Sequence, residues 1–140
     1  MASGYENPLR ISYSFSALSF ATNGSRKIRG PKGKTGRLVD AMAHVTTTMV
    51  GTSTPALLRL GPNADTDALL ELTFGAAGAG TAAGTVINAA NQTGAIKGQS
   101  PTVLPHTLAA ADVDLEVNMV AGTGGSPAGV ADVVLTIEWF

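Results

Sequence analysis

Apolar and polar side chains alternate along much of this chain with the period of a β-strand. Ile11, Tyr13 and Phe15 alternate with Ser12, Ser14 and Ser16, the pattern of a strand with one buried face. The run LVDAMAHVTTTMV, Leu38 to Val50, fits helix or strand by length. Its Thr triplet and three Val residues favour strand, because β-branched side chains suit a pleated surface. Short apolar strands are expected at Ala56–Leu60 and Ala68–Phe74, divided by the turn Gly61-Pro62-Asn63, with brief ones at Val86-Ile87 and Thr102-Val103-Leu104. Near the end of the chain Val113, Leu115, Val117 and Met119 face one side, and Asp112, Asp114, Glu116 and Asn118 the other. After GTGGSPAG, Val133, Leu135, Ile137 and Trp139 alternate with Val134, Thr136, Glu138 and Phe140. These two runs read as an antiparallel hairpin whose second strand, apolar on both faces at its end, is central or covered. Roughly six to nine short strands with Gly/Pro turns predict an all-β chain, a single antiparallel β-sandwich of jelly-roll-like type.

Two stretches interrupt the pattern. Thr22 to Gly36 is polar, basic and punctuated by Gly and Pro, so it reads as an extended loop or arm. The expected organisation is an N-terminal strand and basic arm over 1–37 and a sandwich domain over 38–140. Gly75 to Thr85, GAAGAGTAAGT, has no large side chain and loses backbone entropy on ordering. It is expected to be a loop or close-packed backbone at a subunit contact.

Composition sharpens this picture. Charged residues make up 14% of the 140-residue chain, against roughly 25% in an ordinary soluble domain. So few charges suggest a surface largely covered by other subunits. The formal net charge of −1 gives no bulk attraction to nucleic acid or to a membrane surface. There is no cysteine, which removes disulfides, thiol chemistry and Cys-based zinc sites. No apolar run approaches the ~18 residues of a membrane helix, and the serines within Ile11–Phe20 do not suit a signal-peptide core.

Six of the nine Lys and Arg residues fall in one stretch: Arg26, Lys27, Arg29, Lys32, Lys34 and Arg37. The stretch contains Gly33-Lys34-Thr35, the closing triplet of a phosphate-binding loop. That loop needs its first glycine at position 28, where Ile28 stands, and a helix after the triplet, which Leu38-Val39-Asp40-Ala41 does not open. A solvated loop, a contact with an acidic protein surface and nucleic-acid binding remain. Nucleic acid is the least favoured, since no aromatic residue lies between Arg26 and Arg37 to stack on a base. The six cations are therefore candidate partner-binding residues. Charge reversal at Arg29, Lys32, Lys34 and Arg37 is expected to weaken the contact and leave the fold intact.

Other chemistry finds little support. His44 and His106 form no local metal-binding pattern. Asp112, Asp114 and Glu116 repeat at period two on one strand, which suits a solvated face better than a converging acid–base pair. Asp65-Thr66-Asp67 lacks the downstream Gly and Glu of a calcium loop, and there is no G-x-S-x-G nucleophile elbow. Neither an enzyme nor a cofactor is expected.

The segments IRGPKGKTGRLVDAMAHVTTT, Ile28 to Thr48, and ADVDLEVNMVAGTGGSPAGVADVVLTIEWF, Ala111 to Phe140, together resemble small head proteins of tailed bacteriophages. These are the capsid decoration, or cement, proteins. The resemblance covers roughly a third of the chain and rests on composition and pattern rather than on catalytic residues. It implies a β-rich homotrimer on the outer surface of a phage head, made in the host cytoplasm. Its partners would be the major capsid protein and its own copies, with no nucleic acid, membrane or small-molecule substrate. A tail or baseplate component is the alternative among virion proteins, and a carbohydrate-binding β-sandwich module the alternative from another class.

Overall fold

A computed structural model describes residues 8–75, 81–92, 95–97 and 108–140. Its strands are β1 (Leu9–Ser19), β2 (Gly24–Ile28), β3 (Gly36–Val50), β4 (Leu57–Gly61), β5 (Leu70–Thr73), β6 (Val86–Asn88), β7 (Leu115–Val120) and β8 (Ala128–Trp139). A single 3-10 turn, Ala89–Asn91, is the one helical element among the described residues. The strands form two antiparallel four-stranded sheets, in the orders β1-β8-β3-β6 and β2-β7-β4-β5. The expected all-β sandwich is the architecture observed.

Pairing is nested: β1 with β8, β2 with β7, β3 with β6 and β4 with β5. The chain is thus one long hairpin closing between β4 and β5. It is rolled so that β8 also pairs with β3, and β7 with β4. Between the sheets, Ala131, Val133, Leu135 and Ile137 of β8 share one core with Leu58, Leu60, Leu70, Leu72, Leu115 and Val117 of the other sheet. Phe20 and Phe74 close this core at one end, ring edge to ring face with centroids 4.9 Å apart.

Long β3 keeps its apolar side chains inward by shifting register. An extra residue between Leu38 and Asp40 places both Leu38 and Ala41 inside, and a second shift follows Val45. Without such bulges a strict period of two would turn one half of the strand inside out.

Three expectations are corrected. The two C-terminal runs do not pair with each other: β7 lies in one sheet and β8 in the other, and 121–127 crosses between them. Both runs alternate because each has an inward face, and alternation does not say which neighbour a strand takes. Thr22 to Gly36 is no detached arm, because Gly24–Ile28 is β2, antiparallel to β7 from Gly24↔Met119 to Ile28↔Leu115. A boundary at 37/38 therefore cuts through the sandwich, since β1 and β2 belong to its two sheets. Finally, Val113 precedes β7 and is 43% exposed. The expected strand at 102–104 lies outside the described residues.

Charge is distributed unevenly between the two ends of the sandwich. At one end, 51–56 meets 121–127 through the Thr54↔Thr123 bridge, and the Ala121 amide donates to Asn23 Oδ1 in 20–23. Residues 81–85 lie beside the last part of β3 through Met49↔Thr81 and the Val45 and Thr85 backbones. None of these four segments contains Asp, Glu, Lys or Arg. The opposite end carries Arg29, Lys32 and Lys34 before β3, Asp65 and Asp67 between β4 and β5, and Asp112 and Asp114 before β7.

Candidate partner-binding surface

The basic segment is built from an edge strand followed by a tight turn. Ile28 anchors it, 2% exposed in the core, while Gly24 to Lys27 are all exposed. After Gly30, the Lys34 amide donates to the Pro31 carbonyl at 3.1 Å. Gly33 sits at the third position of this turn with φ +74°, as a type II turn requires. The chain then joins β3, with Thr35 and Phe140 exchanging backbone hydrogen bonds at 2.9 Å in both directions.

The C-terminal tryptophan holds the segment in place. A Cβ at Gly30 would stand 2.4 Å from the Trp139 ring, and one at Gly36 would stand 2.6 Å from it. Both positions are glycine because the indole lies directly against their backbone. Trp139 is 3% exposed, and its Nε1–H donates to the Tyr13 hydroxyl at 3.0 Å. The basic segment is therefore packed across the end of the sandwich.

Backbone donors that a phosphate loop would offer are already committed here. The Gly33 amide donates to Asp112 Oδ1 at 2.9 Å, and the Gly36 amide to the Ala109 carbonyl at 2.9 Å. Where a helix would follow, the fifteen-residue β3 begins.

Ion pairing divides the six candidate cations into two sets. Arg29 binds Asp114 at 2.9 Å, and that carboxylate's hydrogen bond and charge raise the guanidinium's pKa above its ordinary value. Arg37 binds Glu138, which also takes Arg10 at 2.8 Å, so one carboxylate on central β8 joins β1 and β3. The Arg10 hydrogen bond, assisted by Arg37, holds the Glu138 carboxyl below its usual range against the opposing effect of desolvation. Arg37 Nε is buried with no hydrogen-bond partner among the described residues, so the contact is geometrically incomplete on that side.

Arg26, Lys27, Lys32 and Lys34 are exposed and have no ion pair among the described residues. The Arg26 guanidinium bonds only to the neighbouring Ser25 carbonyl, at 3.1 Å. Of the four residues whose reversal is expected to spare the fold, Lys32 and Lys34 have no ion pair among the described residues, whereas Arg29 and Arg37 do. Arg29 and Arg37 have structural partners whose charge would then be left unmatched.

Other singled-out residues do not converge on this surface. His44 is exposed on the outer face of β3, opposite Asp132 of β8 and Val86 of β6, and His106 lies outside the described residues. Asp65 and Asp67 lie between β4 and β5, where the Asp65 amide donates to the Pro62 carbonyl. No group of three or more His, Asp or Glu among the described residues is placed to hold a metal ion. Sequence reasoning missed Asp112 and Asp114 as the carboxylates that fix the basic turn. The available signal was their opposite charge, but a strand-like period suggested a solvated face. Comparison of the chain with protein-family models and with curated protein sequences finds no match.

Proposed function

We propose that this chain is a non-enzymatic structural protein of a phage virion, a decoration or cement protein that stabilises the head lattice. The rolled hairpin, with its sheet orders β1-β8-β3-β6 and β2-β7-β4-β5, supports a jelly roll, an architecture used by viral capsid proteins, lectins and cupins. Fold alone does not select among these. The described part of the interior is filled by aliphatic side chains such as Leu58, Leu72, Val133 and Leu135, and no group of three or more His, Asp or Glu among the described residues is placed as a cupin-type metal site needs. No aromatic side chain among the described residues is fully exposed, and a carbohydrate-binding face ordinarily presents aromatics.

The separation of charge between the two ends carries the proposal. A monomer's surface normally mixes charges of both signs, whereas four neighbouring segments here carry none. Such an end suits permanent cover by neighbouring subunits, as in a symmetric oligomer, and the exposed cations of the basic segment, Lys32 and Lys34 at the charged end among them, suit an acidic partner surface. The two phage-like segments also meet in space, through β3 with β8 and through Ile28 with Leu115. In this reading the partners are the major capsid protein and further copies of the chain, as a homotrimer on the outer surface of the head.

The test combines light scattering of the purified protein with binding to expanded heads that lack it. An oligomer that binds such heads is expected. A monomer that leaves them bare would refute the assignment, and immunogold labelling of the tail would replace it with the tail or baseplate alternative.

A further inference from the structure

We propose that β2 is a docking edge for an acidic, extended peptide segment, which adds to the second sheet as a fifth strand. This deepens the reading of the basic segment as the partner-facing surface, and specifies how that contact is made. The edge itself is the first observation. β2 is the outermost strand of its sheet, paired only with β7, and Gly24 to Lys27 are exposed. In an antiparallel pair alternate residues direct their N–H and C=O groups toward the neighbour, so the remaining main-chain groups of β2 point away from the sheet. A peptide laid alongside takes its affinity from these groups and its selectivity from side chains.

Charge selects the occupant. Four of the chain's nine cations lie on this strand and the turn that follows it, with no carboxylate bound to them among the described residues: Arg26, Lys27, Lys32 and Lys34. Arg10, Arg29, Arg37 and Arg59 are each tied to a carboxylate of this chain. Lys27 stands opposite Glu116 on the outward face of the sheet. Arg26 has the inward phase of buried Val117 opposite it, yet remains exposed at the flank. An added strand would therefore meet positive charge on both of its faces, and then Lys32 and Lys34 as it passed the turn. Acidic residues on both faces of an extended segment of about six to eight residues match that arrangement.

The other long edge provides an internal contrast. β1 has eleven residues, but its one cation, Arg10, is held by Glu138. A register shift between Phe15 and Leu18, with Ala17 at φ 54°, interrupts its ladder. Bulges of this kind blunt an edge against pairing, and lysines on an edge can serve the same end. The proposal for β2 must therefore be separated from simple protection against aggregation.

The experiment uses the full-length, isotope-labelled protein and a soluble synthetic peptide in which Glu-Glu pairs are separated by Thr-Val, so that Glu falls on both faces of the strand. A second peptide carries Pro at its centre, a third replaces Glu with Lys, and a fourth probe is single-stranded oligothymidine. The acidic peptide is expected to shift and protect amides of Gly24–Ile28 and to leave Leu9–Ser19 unchanged. Binding should fall roughly tenfold in the triple variant K27A/K32A/K34A, the sum of several exposed charge pairs, while Trp139 emission stays unchanged. Central proline should abolish the amide protection, because it removes ladder donors. Equal binding of the proline peptide or the Lys peptide, perturbation at β1 instead of β2, tighter binding of oligothymidine, or aggregation of the triple variant with peptide binding intact would each overturn the proposal. Heads bound normally by a protein that ignores the acidic peptide would sink strand addition and leave the decoration role standing.

Discussion

Glu138 sits at the centre of a charge ladder that crosses three strands. Arg10 and Arg37 stand directly opposite it on β1 and β3, and Glu138 itself is 6% exposed. Desolvation alone would raise its pKa, but the Arg10 hydrogen bond and the Arg37 charge outweigh that and bring it below the ordinary 4.5. The folded state therefore binds this proton at lower pH than the unfolded chain. The resulting stabilisation is fully present above about pH 4.5 and is lost as pH falls through the depressed folded value. Thermal melts of the wild type should lose stability below about pH 4.5 more steeply than those of Glu138→Gln, which has no carboxylate to titrate there. Parallel acid limbs for the two proteins would show that Glu138 is not linked to folding. At neutral pH, Arg37→Met should cost about 1.5–3 kcal/mol, the range for a hydrogen bond to a charged group. Lys34→Met, exposed and unpaired, should stay within about 0.5 kcal/mol of wild type.

The turn between β2 and β3 owes its shape to Trp139, near the far end of the sequence. Trp139 occupies the space that side chains at positions 30 and 36 would need. Gly30→Ala forces the indole aside and should destabilise by about 1–3 kcal/mol. As the only tryptophan in the chain, Trp139 should report this as a red-shifted emission. Gly33→Ala is the contrasting variant: open space surrounds its Cβ, but its φ of +74° is strained for alanine. It should cost about 1 kcal/mol with unchanged emission. A shifted spectrum in Gly33→Ala and an unshifted one in Gly30→Ala would contradict the packing described. The same element marks the limit of what was legible in the sequence. β1 and β8 announce themselves by alternation, with Ile11, Tyr13 and Phe15 half-buried between exposed serines and one face of β8 buried along its length, whereas β3 is legible through its β-branched residues. β2 does not announce itself, since only Ile28 of its five residues is buried, and an exposed edge reads as loop. Sheet membership of β7 and β8 was hidden for another reason: alternation encodes a buried face, while the partner strand is set by how the whole hairpin rolls. The six cations were visible as a cluster, but their division into paired and free sets depends on Asp114 and Glu138, brought near by tertiary contacts alone.

At the scale of the molecule, the low charge content of the described residues resolves into a charge-free end and a charged one. The segments 20–23, 51–56, 81–85 and 121–127 come from four different crossings of the chain, so their common lack of charge is not one local tract. Single charges tolerated in water become costly when a neighbouring subunit removes that water and supplies no partner. Thr22 and Ser126 lie at this end, and both are exposed. Neither carries a described side-chain hydrogen bond, so replacing them should leave the monomer's fold intact. In a symmetric assembly built on this end, Thr22→Asp with Ser126→Asp would repeat the same negative charges in every copy around the contact. The double variant should therefore melt within about 4 °C of the wild-type monomer, two surface changes of about 0.5 kcal/mol each, yet sediment as a smaller species. Placing two aspartates at the opposite end, through Lys32→Asp and Lys34→Asp, should leave the oligomer intact and weaken binding to heads instead. Dissociation caused by the second pair and not the first would move the self-contact to the charged end, and would place the lattice contact on the charge-free one.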